Sequence, residues 1–285
     1  MTLSEDERKI RIRQDDLARL RGLRPIDDDF MRCIFRDNIP LVQLVLRIFT
    51  GMSDLVITSL ETQKDLKRLV GGRSICLDAY GIDSKGIIYD IEIQRAVHGA
   101  GVHRARYHSS CMDVENLDAG QEFDELPDTY TIFLTEQDLF GKGLACYPVE
   151  RIVLPINELF HDGEHILYIN GSYRDNSDIG KLLHDFFCWN PDDMNYDLLK
   201  ETTRYYKEDP KGVAIMCEAF EEVRNEGIAE GRAEGRAEGR AEGREQNRLE
   251  SIQNLMKTMT LTAQQAMDAL LIPAGEQADL LAKLS

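Results

Sequence analysis

The sequence predicts an α/β fold, a mixed β-sheet flanked by helices, followed by a helical C-terminal tail. Three observations carry this. Short runs at 54–62, 74–94, 129–135, 149–156 and 164–170 are β-rich or alternate apolar and polar residues, as strands do. Segments with apolar residues three and four apart stand before, between and after them, an order that suits a sheet covered by helices. From Asn225 onward the composition changes to a glycine and charge repeat, and then to short amphipathic segments.

The elements follow in chain order. Residues 1–24 are arginine-rich and of mixed charge, and read as a frayed helix or arm. Asp27, Asp28 and Asp29 offer carboxylates to cap a helix whose Phe30, Ile34 and Phe35 share a face. Asn38 and Pro40 break that helix. A second one places Leu41, Leu44, Val45 and Ile48 inward and stops at Gly51. After the strand at 54–62 comes a hairpin over 74–94. With Ser84 and Lys85 in its turn, Asp78 falls opposite Ile91 or Glu92, within cross-strand reach of Glu92. Residues 97–117 read as a helix entered through Gly99 and Gly101, and an acidic loop runs from Asp113 to Asp128. Strands at 129–135, 149–156 and 164–170 follow, the last two around an Asp162-Gly163 turn. Ser177 caps a helix over 178–188, and Pro191 and Pro210 each start another.

Ala-Glu-Gly-Arg then occurs four times in tandem over 229–244. Like charges four residues apart repel mildly, and each glycine costs about 1 kcal/mol against alanine inside a helix. The stretch therefore reads as a solvated spacer, or as a helix that persists by continuity with its neighbours or by assembly with a second copy. Residues 246–259 resume a helical pattern, Thr262 caps a further helix through Leu271, and a last helix carries Leu280, Leu281 and Leu284. The domain expectation is an arm over 1–24, a catalytic-type domain over 25–225, a repeat linker or helix over 226–248 and a helical segment over 249–285.

A net charge of -17 argues against a chain that coats polyanions, although a local basic groove can work on an acidic body. The six cysteines form no CxxC pair, so zinc-finger spacing is absent and a reducing compartment is the simplest setting. The N-terminus lacks an apolar signal core, and no run approaches the roughly 20 apolar residues of a membrane helix. A cytoplasmic protein without membrane contact is expected. No P-loop, G-x-S-x-G or Rossmann glycine pattern occurs, and His103 and His108 do not form an HExxH motif.

The chemistry concentrates in the hairpin. A carboxylate inside a strand is expensive to desolvate unless it is paired or binds a metal. Asp78 and Glu92 on neighbouring strands would supply two oxygens to a divalent cation, and the Ile93 carbonyl a third. Mg²⁺ prefers a few oxygen ligands and retained waters. Asp90, Glu92 and Gln94 alternate, so they share one face. The Gln94 amide suits positioning a water and cannot serve as a general base. Asp90 could be a third acidic ligand or a group supporting the ligands, and reads best as solvated; Glu61 reads as a surface residue, and Asp28 and Asp29 as helix caps rather than ligands. Residues 95–108 contain Arg95, Arg104, Arg106, His98, His103 and His108 and no acid, which suggests phosphate contacts beside the metal; the alternative is a surface helix paired with the acidic loop.

The run Arg73-x-Ile75-Cys76-Leu77-Asp78, a glycine-bearing turn and Tyr89-Asp90-Ile91-Glu92-Ile93-Gln94 resembles the PD-(D/E)XK nuclease superfamily. More narrowly it is similar to the PD-(D/E)XK nuclease family transposases, also called recombination-promoting nucleases (Rpn), which often carry Glu-x-Gln in place of Glu-x-Lys. Arg104-Ala105-Arg106-Tyr107-His108, the upstream Asp29-Phe30 and the later strand from Leu126 to Leu134 fit the same pattern, and the likeness spans about 25–225. It implies a restriction-endonuclease-like fold and metal-dependent DNA cleavage. It also implies Asp78 and Glu92 as ligands of Mg²⁺ or Mn²⁺, and Gln94 at the motif's lysine position. Arg95, Arg104, Arg106 and Tyr107 are the candidate DNA contacts. Two further readings stay open: a catalytically weak scaffold that assembles homo-oligomers through its tail, and an RNA substrate in place of DNA.

Overall fold

The computed structural model describes residues 5–66, 75–95 and 97–284. Arg73 of the predicted motif lies outside the described residues. Two units emerge, Met1–Phe220 and Glu221–Ser285.

In the first unit, the arginine-rich arm is helix α1 (Glu5–Gly22). Helix α2 (Asp28–Phe35) starts at Asp27, whose carboxylate makes no capping bond. That carboxylate instead accepts from the Arg24 backbone N–H at 2.7 Å and the Arg24 guanidinium at 3.0 Å, and Asp29 pairs with Arg19 at 2.5 Å. The triple-aspartate cap read from the sequence is thus replaced by arginine pairing. Helix α3 (Ile39–Thr50) is capped as expected by Asn38, which accepts from Leu41 N–H, and ends at Gly51 in the left-handed conformation that glycine adopts without strain.

The sheet then forms. Strands β1 (Ile57–Leu66), β2 (Ile75–Asp83) and β3 (Ile88–Gln94) run antiparallel to one another in sequence. β1 starts later than the expected 54–62. The β2–β3 turn is held by Asp83, whose Oδ1 accepts from the N–H groups of Lys85 and Ile87. The expected helix at 97–117 is a 3-10 turn at Val97–Ala100 and helix α4 (Val102–Glu115). It leads to β4 (Thr129–Thr135), which pairs parallel to β3.

The single strand expected at 149–156 is broken. Strand β5 (Cys146–Val149) joins the main sheet, while β6 (Ile152–Val153) and β7 (Glu158–Leu159) form a separate small hairpin. Pro148, which cannot donate to a ladder, sits in the edge strand β5, where a missing donor is tolerated. Strand β8 (Glu164–Asn170) completes the sheet. Among the described residues its order is β1-β2-β3-β4-β8-β5, with β3, β4 and β8 parallel.

Helix α5 (Asp178–Phe187) is capped by Ser177, as expected. Pro191 begins only a 3-10 turn, Pro191–Asp193, before α6 (Asp197–Glu208). The two faces of the sheet are covered differently. On one, Tyr89, Ile91, Ile93, Ile132 and Leu134 pack with Phe30, Phe35, Val45, Phe49, Phe186 and Leu199 of the surrounding helices. On the other, α4 lies on the sheet through Ala105, Cys111 and Met112, against Tyr80, Ile88, Phe133 and Tyr168. This second face holds the polar site.

Helix α7 (Pro210–Met259) is continuous through the tandem repeat. Every repeat residue whose burial is described is exposed, so the stretch is both helical and solvated. In the second unit, the end of α7 packs with α8 (Ala263–Ala269) and α9 (Ala274–Leu284) around Ile252, Ala266, Met267, Ile272 and Leu280. Thr262 and Gln265 form a reciprocal capping box at the start of α8. No described helix is long and apolar enough to cross a membrane.

Candidate active site

The β2–β3 ladder pairs Tyr80 with Asp90 and Ala79 with Ile91, which sets Asp78 level with Glu92. At that level side chains replace the backbone ladder. Asp78 N–H donates to Glu92 Oε1 at 3.2 Å, and Ile93 N–H donates to Asp78 Oδ2 at 3.1 Å. Gln63 of β1 donates its side-chain amide to Asp78 Oδ1 at 3.2 Å, from a backbone at φ 56°. That left-handed conformation costs a non-glycine residue roughly 1 kcal/mol or more, and it aims the amide at the carboxylate. Gln63 was not visible as a site residue in the sequence, because nothing in a β-strand pattern signals a left-handed kink.

Asp90 corrects the solvated reading. It is 0% exposed, and neither of its carboxyl oxygens has a hydrogen bond among the described residues. The physical reason is α4, which covers this face of β3 and excludes water. Glu92 is 1% exposed beside it. His108, on the buried face of α4, places Nδ1 3.6 Å from Asp90 Oδ2 and 3.6 Å from Glu92 Oε1. Arg104, one turn earlier, donates from Nε to His108 Nε2 at 3.2 Å and from a terminal nitrogen to Glu92 Oε2 at 3.3 Å. With Nε2 accepting, the His108 proton sits on Nδ1 and faces the two carboxyls. Asp90, Glu92 and His108 have ligand atoms all within 4.8 Å of one another.

Burial pushes the Asp90 carboxyl well above its usual range, and the charge of Asp78 adds to this. Burial likewise pushes Glu92 up to about 9, reinforced by Asp90 and Asp78 and opposed by His108. The Asp78 N–H also opposes, but burial prevails. Asp28 is drawn into the same field: burial and the nearby Asp78 charge raise its carboxyl. It lines a cleft of about 440 Å³ with Arg19, Arg24 and Arg95.

The remaining sequence candidates lie as follows. Gln94 ends β3, where a Cβ on Gly99 would stand 2.2 Å from its Oε1. Ile93 is buried in β3 opposite Leu134 of β4. Arg95 is engaged by Asp27 at 3.2 Å and Glu136 at 3.3 Å. Arg104 pairs inward with Glu92 rather than with the acidic loop. Arg106 is exposed, and Tyr107 packs against the smaller core beneath α4. Glu61 stays on the surface 3.8 Å from Lys64, and Lys85 pairs with Asp54 at 2.8 Å in the turn. The sequence singled out His108 only as part of a basic run. Its spacing with Ala105, Ser109 and Met112 on one helical face is the signal that it points inward.

The chain matches the family model described as PD-(D/E)XK nuclease family transposase over residues 39–170. The match runs from α3 through β8 and so contains every strand of the sheet, both faces of the β2–β3 hairpin and the whole of α4. The mixed sheet with flanking helices agrees with the restriction-endonuclease-like fold of PD-(D/E)XK proteins. No curated protein and no solved structure matches the chain significantly.

Proposed function

We propose that this protein is a metal-dependent DNA endonuclease of the recombination-promoting type, and that Asp78 and Glu92 hold its divalent cation. The observation that supports this reading best is the convergence of Asp78, Glu92 and Asp90, three carboxyls balanced by Arg104 and His108. The donor set fits a hard cation. Asp78 and Glu92 each use their oxygens for one directed hydrogen bond apiece, which leaves lone pairs for Mg²⁺ or Mn²⁺. A bound divalent cation supplies neutralisation of phosphate charge and a more acidic water.

The chain's own residues do the rest. Ile93 N–H and Gln63 hold Asp78 in one orientation, and Asp78 N–H and Arg104 hold Glu92. The Ile93 carbonyl is the third ligand in this proposal. Gln94 orients the attacking water through its amide, without taking the proton. Arg106 contacts phosphate with Tyr107 beside it, and Arg104 turns from Glu92 toward phosphate when a cation takes its place there. Arg95 acts indirectly, by fixing Asp27 and Glu136 at the cleft edge. DNA is the substrate in this reading, and a reducing cytoplasm suits the free cysteines. The domain that carries the activity is 25–225, with 1–24 as an arm, 226–248 as the repeat helix and 249–285 as a helical module.

Plasmid nicking in Mg²⁺ and Mn²⁺ tests the proposal. Wild type should nick and Asp78→Ala should not. Equal nicking by both, with equal metal binding, would sink the site assignment. A second reading, a weak or inactive nuclease scaffold assembling through its tail, is favoured by Gln94 at the lysine position and by the exposed repeat helix. Light scattering of chains ending before and after residue 225 decides it. An unchanged oligomeric state removes the tail from assembly.

A further inference from the structure

The last turn of α5 gathers three metal-ligating side chains on the sheet face opposite the carboxylate site. His184 and Cys188 are four residues apart and so share a helical face. Cys188 Sγ lies 3.5 Å from His184 Nδ1 and 3.6 Å from Nε2. His184 Nδ1 lies 3.1 Å from Asp185 Oδ1. Ligand atoms of all three fall within 4.8 Å of one another. In a tetrahedral zinc site, bonds of about 2.0–2.3 Å put neighbouring ligand atoms roughly 3.3–3.6 Å apart. The Cys188–His184 and His184–Asp185 separations, 3.5 Å and 3.1 Å, are close to that spacing.

The supports are those of a built site. Asp185 is 0% exposed, and its carboxylate accepts from Asn195 N–H at 2.8 Å, Tyr196 N–H at 2.8 Å and Asn195 Nδ2 at 2.7 Å. These bonds lock its orientation, as the surrounding groups of metal ligands do. Cys188 is fixed at the helix end by its N–H, which donates to Asp185 O at 3.1 Å. His184 is 44% exposed, and its sulfur neighbour is almost equidistant from both ring nitrogens. Rotation about the broad terminal torsion therefore brings either nitrogen to a metal. A cleft of about 340 Å³, lined by Arg174, Asp175, Lys181, His184 and Asn195, reaches the site on the His184 side.

We propose that His184, Asp185 and Cys188 form a second metal site, selective for a borderline-soft divalent cation such as Zn²⁺. The thiolate and imidazole distinguish it from the all-carboxylate and histidine cluster under α4, because soft ligands favour zinc over magnesium. Coordination exchanges the Cys188 thiol proton for the cation, and that proton leaves to solvent. His184 binds as neutral imidazole and keeps its proton on the other ring nitrogen. The site ties the end of α5 to the Asn195-Tyr196 loop that starts α6, a structural clamp on the core beneath the sheet.

Titration of the full chain, thiols reduced, with Co²⁺ as a spectroscopic stand-in for Zn²⁺ tests this. A thiolate-to-cobalt charge-transfer band should appear with one equivalent bound, and Zn²⁺ should displace it. Cys188→Ser should abolish the band, while Cys76→Ser and Asp78→Ala retain it. His184→Ala, at a half-exposed position, should weaken Zn²⁺ binding by more than about 100-fold, beyond the range for losing a group that only supports a ligand. A folded chain that shows no band, or a band that survives Cys188→Ser, overturns the proposal. The carboxylate site holds no sulfur, so an inactive nuclease site would leave this result unchanged.

Discussion

Two buried aspartates, one on each face of the sheet, have opposite fates. Asp90 and Asp185 are both 0% exposed. Asp185 accepts from the N–H groups of Asn195 and Tyr196 and from the Asn195 amide, which fix its orientation. Asp90 has no hydrogen bond among the described residues, and its acidity is suppressed by burial and by Asp78. Burial alone therefore does not mark a reactive site. What marks it is a desolvated carboxyl that the fold leaves unsatisfied, a cost that a cation relieves.

The sharpest way to break the contrast is catalytic. Asp78→Asn should lower Mg²⁺-dependent nicking by more than about 100-fold, the upper range for loss of an outer-shell support. Asp90→Asn should cost less, within that range. Equal losses in a nicking assay would erase the distinction between ligand and support.

Stability separates the two aspartates next. Asp185→Ala orphans two backbone N–H groups and should destabilise the chain by about 3 kcal/mol in a denaturant melt. Asp90→Asn, measured in chelator, should stabilise it by about 1–2 kcal/mol, because it removes a buried carboxyl whose oxygens make no hydrogen bond among the described residues. A loss of stability from Asp90→Asn would show that the group is satisfied after all.

pH sharpens the same point. Glu92 and Asp90 have carboxyls raised above their unfolded values, so the native state holds more protons than the unfolded chain. Their contribution is fully present below the ordinary carboxyl range near 4.5 and is lost as pH rises toward about 9. The groups facing them are Asp78 on β2 and Arg104 and His108 on α4. In chelator the melting temperature should therefore fall across that window, and Mg²⁺ should flatten the fall. Glu92→Gln should remove the Glu92 share of the slope in a pH series of thermal melts and leave that of Asp90.

The smallest effect belongs to the surface. Arg106→Ala should weaken DNA binding evenly across sequences and reduce the slope of log affinity against log salt by about 1. No change in slope would remove Arg106 from the phosphate contacts.

Much of this was legible in the sequence, for identifiable reasons. Alternation placed Asp90, Glu92 and Gln94 on one face, and the two-residue turn nearly fixed the partner of Asp78. The caps at Asn38, Ser177 and Thr262 were local and were readable as such. Long-range packing was not. That α4 would seal Asp90 from water depends on how α4 crosses β3, β4 and β8, and no local pattern encodes that. The strand expected at 149–156 failed because Leu154-Pro155-Ile156 is apolar enough to suggest a strand, yet Leu154 is 79% exposed at a hairpin tip. The repeat was read as a spacer from its helix-breaking costs, which continuity with packed helical ends outweighs.

Gly99 has a bearing on the residue that stands where the superfamily has lysine. Its α-carbon lies so close to Gln94 that an added methyl would meet Oε1 at 2.2 Å. The obstructed atom is the tip of a flexible side chain, so the main effect of Gly99→Ala would be to swing the amide aside while leaving its chemical identity intact. Position and chemistry at residue 94 are therefore separable by experiment. The 3-10 turn acts as an adjusting screw on Gln94, set from a backbone position outside the carboxylate cluster.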